Sequence, residues 1–370
     1  MSDAQSAAPR LRRLTQAQVW NALAAVEPEL FDYSPVVSDD PVAWHLQAEL
    51  GKGGQPLAER LVRATRCMDE DARNPWLERL LRDRDGGILR EAHGYGVLHQ
   101  RGFLFGCPHT VSSAELYRAP SSTGAVEVEL DGRFKTRDVW FDVKALTTPE
   151  NSMRRLLDLL NKQLKDRGLF ASVEGTVDFE HTVFGEQFGL VLRHVREQIE
   201  QGVFRVDVPD HDMRIKIGEA TPGCRIAGEN SYNPYRYAEQ NCGFLLGHAN
   251  QVPRDKPFLF VVVYSMATSS ILAWRDTDTV ERALARRLFV QLARSTDLCP
   301  NADGVATTGE VVQSIGGLIF IGLDHDTLRL YLNPNARDGQ RITVEHVEQL
   351  TGAYSLRRVD GWDDFRYDNY

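Results

Sequence analysis

The segment Phe258–Tyr264 limits what this chain can fold into, because it is a run of seven apolar and aromatic residues. A membrane-spanning helix needs about 20 such residues, so the run is too short to cross a bilayer. A polar turn at 253–256 precedes it, and its residues have high β-propensity. The run therefore predicts a buried strand inside a globular protein.

Helical and strand-like patterns alternate along the chain, which predicts an α/β or α+β fold with a central mixed sheet flanked by helices. The chain has 370 residues, 42% of them apolar, enough for one large core or two moderate ones. We expect an N-terminal helical region at 1–75, a core at 76–270 with an insertion at about 170–230, and a C-terminal α/β region at 271–370.

Composition predicts a soluble, cytoplasmic protein without a membrane partner. No apolar stretch follows the basic cluster at 10–13, so a secretory signal is not expected. The five cysteines are scattered without a CxxC pair, which argues against a disulfide framework or a zinc knuckle. The net charge of -9 argues against a surface coated in positive charge for nucleic-acid binding, although a local basic groove remains compatible with it.

Residues 124–146 carry the clearest chemical signal, because both arms of this segment alternate with period two and predict paired strands. On the first arm Glu127, Glu129 and Asp131 share one side. On the second arm Asp142 and Lys144 share one side. In one antiparallel register Glu127 lies opposite Asp142, and the acids of both arms crowd one face together with Lys144.

Such crowding is costly, because neighbours on paired strands lie about 5 Å apart and like charges repel. A cation in the cluster would relieve the repulsion. Mg²⁺ (or Mn²⁺) suits oxygen ligands of this kind, since it binds through one or two carboxylates together with water and substrate phosphate. Lys144 would orient an attacking water or steady charge that develops on a phosphate.

Asp142-Val143-Lys144, at the end of a hydrophobic strand that follows an acidic strand, resembles the core of the PD-(D/E)xK phosphodiesterase superfamily, which has the restriction-endonuclease-like fold. In that family one strand supplies an acid and the next supplies (D/E)xK. The first acid would be Glu127 or Glu129, and the choice among Glu127, Glu129 and Asp131 as first metal ligand stays open.

The resemblance extends from about Glu91 to Lys144, and it would continue through 235–265. Gly124–Glu127 is similar to the Gly-x-x-Asp motif of the RecB-like branch, with glutamate in place of aspartate. Glu91 occupies a place comparable to a glutamate on the helix before the hairpin, which makes it a further candidate metal ligand. The glutamine that family members carry on a later helix would be Gln163 or Gln240.

The resemblance implies Mg²⁺-dependent hydrolysis of DNA phosphodiesters by an endonuclease that acts in restriction or defence against foreign DNA. Asp142, with Glu127 or Glu129, would hold the metal, and Lys144 would position the water. The expected partner is DNA, contacted by basic residues at 133–137 and on the helix after Lys144. Many enzymes that cut both strands are homodimers, but the sequence has no evident oligomerisation motif.

Two alternatives remain open. The hairpin is also typical of an exposed sheet whose outer face is charged and solvated. The protein would then be a non-catalytic interaction or nucleic-acid-binding protein that uses the same sheet as a scaffold. A Cys/His hydrolase is the other alternative, and it requires Cys107 within hydrogen-bond reach of a histidine.

Overall fold

The computed structural model describes most of the chain between Thr15 and Arg358. The described residues are 15–30, 42, 46, 55–82, 87–118, 124, 126–146, 149–174, 181–208, 214–219, 234–264, 277–299, 301–302, 304–323, 327–351 and 357–358. No helix among them is long and apolar enough to cross a membrane.

In the described part of the chain, four α-helices precede five strands, and helices and strands are interspersed after them. The helices are α1 (Gln16–Val26), α2 (Gln55–Thr65), α3 (Glu70–Arg82), α4 (Gly87–Gln100), α5 (Pro149–Leu164), α6 (His181–Glu200), α7 (Pro234–Asn241), α8 (Gly243–Leu246), α9 (Thr277–Arg286), α10 (Thr308–Gln313) and α11 (Val344–Thr351). The strands are β1 (Phe105–Gly106), β2 (His109–Ser112), β3 (Glu127–Leu130), β4 (Gly132–Phe134), β5 (Trp140–Ala145), β6 (Leu169–Glu174), β7 (Arg205–Asp207), β8 (Arg214–Glu219), β9 (Phe258–Tyr264), β10 (Gly317–Gly322), β11 (Thr327–Leu332) and β12 (Arg357–Arg358).

The chain forms two compact units. The first contains 1–145, 248–263 and 293–361, and the second contains 146–247, 264–292 and 362–370. In the first unit a central mixed sheet has the order β1-β4-β5-β9-β10-β11, extended at one edge by the two-residue strand β12. Strands β5 and β9 pair in parallel, whereas β4 and β5 pair antiparallel. The predicted α/β fold with a central mixed sheet and flanking helices is confirmed.

Strand β9 is buried along its whole length, as the apolar run predicts. It pairs with β5 so that Phe260 lies beside Asp142 and Val262 beside Lys144. The core of this unit joins the sheet to the N-terminal helices, with Leu61 of α2 and Leu77 of α3 in one cluster with the β-strand side chains. The site-bearing strand β5 is therefore fixed by a strand on one side and by helices that cover its face.

The predicted pairing of the two hairpin arms is wrong. Strand β3 pairs with β2, and Glu127 lies opposite Ser112 rather than Asp142. The chain bends at Asp131, and only then does β4 pair with β5 through Gly132–Phe141 and Arg133–Trp140. Glycine is required at 132 because a Cβ there would lie 2.3 Å from the Phe141 ring. One alternating stretch of sequence thus supplies strands to two different sheets.

The second unit has a three-stranded antiparallel sheet in the order β6-β8-β7. Its core joins leucines of α5, including Leu156 and Leu160, to Val195 of α6 and to Ile215 of β8. Burial of these apolar side chains, each worth about 1.5–3 kcal/mol, holds the helices on the sheet. The predicted boundaries at 75 and 270 stay predictions.

Candidate functional site

Asp142 and Lys144 of β5 form a nearly buried ion pair. Their side chains share one side of the strand because they are two residues apart. The Lys144 Nζ lies 2.6 Å from Oδ2 of Asp142, and the two side chains are 13% and 2% exposed. A hydrogen bond also joins Asp142 to the carboxyl group of Asp131. Asp142 therefore has two close ionisable neighbours, Lys144 and Asp131.

Asp131, at the bend between β3 and β4, is the second carboxylate of the site. Its Oδ2 accepts a hydrogen bond of 2.6 Å from the Val143 N–H of β5. Strand β4 pairs with β5 only at residues 140 and 141, so the Asp131 carboxylate takes the place of a strand neighbour at residue 143. This contact holds Asp131 beside Asp142.

Helix α4 brings Glu91 and Tyr95 to the same place, because residues four apart lie on one face of a helix. The hydroxyl group of Tyr95 lies 3.0 Å from the main-chain oxygen of Asp131 and 3.2 Å from its Oδ1. The indole Nε1 of Trp76 donates to Glu91 Oε2 at 3.4 Å. A Cβ on Gly94 would lie 2.9 Å from Val143, so glycine is what lets α4 approach β5 this closely.

The site concentrates negative charge in a place with little solvent. Burial raises the pKa of Asp131 well above its usual range, and the charge of Asp142, a hydrogen bond to it and the charge of Glu91 raise it further. Burial also raises the pKa of Glu91, with a partly opposing hydrogen bond from Trp76. Burial lowers the pKa of Lys144, but Asp142 and Asp131 outweigh this effect and raise it. Lys144 therefore stays charged, and the carboxyl groups compete for it.

His248 is a neighbour of this site that the sequence analysis missed. Burial lowers its pKa to about 4, the charge of Lys144 lowers it too, and Asp142 opposes both effects. Its imidazole is therefore neutral at physiological pH and able to donate or accept a hydrogen bond. His248 follows the short helix α8 with no motif spacing to Asp142, so the sequence carried no signal for it.

The structure does not bring the predicted first acids to the ion pair. Glu127 and Glu129 are exposed on β3, and Glu129 forms a surface ion pair with Arg79 at 3.5 Å. The carboxylate that meets Asp142 is Asp131, the third acid of the same alternating arm. Of the other predicted site residues, Asp142, Lys144 and Glu91 do converge, since Asp142 and Lys144 both act on the Glu91 carboxyl.

The remaining predicted contacts are distributed differently. Arg133 pairs with Asp138 at 2.9 Å, whereas Lys135 and Arg137 are exposed in the loop after β4. In the second unit, Gln163 accepts a hydrogen bond from Arg196. The side chain of Gln240 lies outside the described residues.

Cys107 does not have the properties of a nucleophile. It is buried, and burial raises the pKa of its thiol well above the usual value. A nucleophilic cysteine needs a lowered pKa and some exposure. The Cys/His hydrolase alternative therefore loses its physical basis.

The donor set fits one hard divalent cation better than a closed metal cage. Within the described part of the chain, no group of three His, Cys, Asp or Glu side chains is arranged to hold a metal. Mg²⁺, however, needs only one or two carboxylates and takes its other ligands from water and substrate phosphate. Asp142, with Asp131 beside it, supplies the two carboxyl groups that such a site needs, and Mg²⁺ would share or replace the Lys144 ammonium at Oδ2.

Comparisons with known proteins give no relative: no family model, no curated protein and no solved structure matches the chain. The arrangement of residues is therefore the basis for a functional assignment.

Proposed function

We propose that this protein is a metal-dependent phosphodiesterase of the PD-(D/E)xK type that hydrolyses DNA. The observation that carries the proposal is the convergence of Asp131, Asp142 and Lys144, in which Lys144 Nζ lies 2.6 Å from Asp142 Oδ2 and Asp131 lies beside Asp142. A buried group of like charges is expensive to maintain, so its presence favours a cation-dependent role over a structural one. The restriction-endonuclease-like fold remains part of the proposal.

The proposed roles follow from position. Asp142 and Asp131 would hold Mg²⁺ or Mn²⁺, with Glu91 as a further candidate ligand, and Asp131 replaces Glu127 or Glu129 as the first acid. Mg²⁺, when bound, supplies a Lewis acid for a phosphate oxygen and a more acidic water. Lys144 donates hydrogen bonds that orient the attacking water and neutralise charge developing on the phosphate. The buried surroundings strengthen these interactions, because electrostatic forces grow as the effective dielectric constant falls.

A DNA substrate is supported by the exposed cations Lys135 and Arg137 in the loop after β4. Such residues contact phosphates and set the register of a protein on a duplex without reading its sequence. A role in restriction or defence against foreign DNA rests on analogy with the fold alone.

Cleavage of supercoiled plasmid with Mg²⁺ or Mn²⁺ tests the proposal. Asp131→Asn, Asp142→Asn and Lys144→Met should each lower the cleavage rate by about 100-fold or more, the usual cost of removing one transition-state contact. Glu127→Gln is the matched control, because it removes an exposed carboxylate of the same arm, and it should leave the rate unchanged.

Three outcomes would count against the assignment. Loss of cleavage in Glu127→Gln but not in Asp131→Asn would return the first-acid role to β3. Cleavage that survives all three substitutions would place the chemistry elsewhere. Absence of cleavage of plasmid, single strands and RNA with either metal would favour a non-catalytic interaction or nucleic-acid-binding protein.

A further inference from the structure

Tyr95 touches the candidate site through a single group, its hydroxyl. The phenol oxygen lies within hydrogen-bond distance of both the main-chain oxygen and Oδ1 of Asp131. Because a tyrosine hydroxyl carries one proton, it divides this donation between two acceptors of the same residue. The opposite carboxylate oxygen, Oδ2, is held by the Val143 N–H. The Asp131 carboxylate is thus hydrogen-bonded to helix α4 through Tyr95 and to strand β5 through Val143.

Packing of the ring, as well as the contact with Asp131, limits where the Tyr95 hydroxyl can lie. The ring is 2% exposed, and its centroid lies 6.0–6.4 Å from those of Phe105, Trp76 and Phe141. The helix that carries it is seated on β5 at Gly94, where a side chain would collide with Val143. Aromatic packing and this close approach therefore hold the ring in a position from which its hydroxyl reaches Asp131.

We propose that Tyr95 is a positioning residue that orients the Asp131 carboxylate for a divalent cation. The inference rests on the proposed function, because it concerns the same site. Groups that hydrogen-bond to metal-binding carboxylates fix their orientation, and their loss typically weakens metal binding by about 10–100-fold. With Oδ2 bound by the Val143 N–H and Oδ1 by the Tyr95 hydroxyl, the carboxylate plane of Asp131 is fixed from two elements.

The test is isothermal titration of Mg²⁺ into the full chain, with Tyr95→Phe compared with the unaltered protein. Phenylalanine keeps the ring and its packing and removes only the donor. The dissociation constant for Mg²⁺ should rise about 10-fold or more. Cleavage should recover toward the unaltered rate as Mg²⁺ approaches saturation, because Tyr95 acts through Asp131 and does not touch the substrate. A merely structural role would instead lower the rate at every Mg²⁺ concentration without changing the dissociation constant.

Phe105→Leu is the control, because it disturbs the packing around Tyr95 and keeps the hydroxyl. It should lower the melting temperature and leave the Mg²⁺ dissociation constant unchanged. An unchanged dissociation constant in Tyr95→Phe, or an equal change in Phe105→Leu, would overturn the positioning role.

If the unaltered protein binds no Mg²⁺, both the proposed metal site and the positioning role of Tyr95 are wrong. If it binds Mg²⁺ and cleaves nothing, the phosphodiesterase assignment fails while the titration still decides the role of Tyr95.

Discussion

The two ends of strand β5 carry ionic clusters of opposite character. At the loop end, the Asp138 carboxylate lies 2.9 Å from Arg133 and 2.6 Å from Lys256, and it accepts a hydrogen bond of 2.9 Å from the Trp140 indole N–H. At the other end, Asp131, Asp142 and Glu91 compete for Lys144. Among the described residues, the loop end has two cations around one acid, whereas at the site end the acids outnumber the cations, even with Arg79 acting on Glu91.

Exposure decides how these charges behave. Asp138 is 40% exposed on its side chain, and although partial burial raises its pKa, hydrogen bonds from Lys256 and Trp140 lower it below the usual value. Asp131 has its pKa raised, mainly by burial. In the loop cluster, the charge of Asp138 is neutralised by protein cations. The site cluster stays unbalanced until a cation or a proton enters it, and this difference separates a structural ion pair from a candidate metal site.

The largest expected effect comes from removing the shared cation. Lys144→Met leaves Asp142 buried beside Asp131 without its partner, so the free energy of unfolding in metal-free buffer at pH 8 should fall by about 3 kcal/mol. Lys256→Met at the exposed end should cost less than about 1 kcal/mol. Urea unfolding at pH 8 measures both. Equal losses would erase the distinction between the two clusters.

The next effect concerns acid. The folded-state pKa of His248 is about 4, below the ordinary value of 6.5. As the pH falls from about 6.5 to 4, His248 becomes protonated in the unfolded chain but stays neutral in the folded chain. The free energy of unfolding therefore decreases in that pH range. The shift corresponds to about 3 kcal/mol, which solvent screening of the partly exposed ring reduces to about 2 kcal/mol, and His248→Asn should remove this loss.

Unfolding by urea at several pH values in EDTA measures this loss. His99→Asn serves as a comparison, because burial lowers the pKa of its partly buried ring as well, with no carboxylate among the causes. It should change the profile less. If the pH profile of stability of His248→Asn matches that of the unaltered protein, His248 does not cause the loss of stability in acid.

The smallest expected effect is the change in stability when an aspartate at either end of β5 is replaced by asparagine. Its sign should differ between Asp131 and Asp138, which makes it a discriminating test. Asp131 has a raised folded-state pKa, so its ionisation destabilises the fold as the pH rises above about 4. Asp131→Asn should therefore stabilise the metal-free protein at pH 8 by about 1 kcal/mol, and by less at pH 5. Asp138 has a lowered pKa and contributes stability above its unfolded-state pKa, so Asp138→Asn should cost less than about 1 kcal/mol at pH 8.

Thermal unfolding of both variants at pH 5 and pH 8 checks this prediction. A gain in Asp138→Asn or a loss in Asp131→Asn would mean that burial does not set the balance at the site. Addition of Mg²⁺ should stabilise the unaltered protein by about 3 kcal/mol at 100 times its dissociation constant, but should not stabilise Asp131→Asn.

The sequence predicted the central sheet because the evidence for it is local. The run at Phe258–Tyr264 is apolar over its whole length, and β9 is buried throughout. Asp142 and Lys144 were found for a similar reason, since two residues of separation on one strand decide that they share a side.

The choice among Glu127, Glu129 and Asp131 stayed open in the sequence because strand partnership is not local. Glu127, Glu129 and Asp131 continue one alternating pattern, which predicts a single strand. The break at Asp131 depends on Gly132 fitting under the Phe141 ring and on β2 competing for β3. Tertiary contacts of this kind produce no periodic pattern in the sequence. The same holds for the position of His248 near Lys144 and Asp142.

The contact between Asp131 and Val143 also bears on the satisfaction of the main chain. Beyond residue 141, β5 is no longer paired with β4, and the Asp131 carboxylate accepts from the Val143 N–H in place of a strand partner. Val143 is buried, and a buried N–H without an acceptor costs about 1–3 kcal/mol. Asp131→Ala should therefore be less stable than Asp131→Asn, which keeps a side-chain oxygen for this N–H.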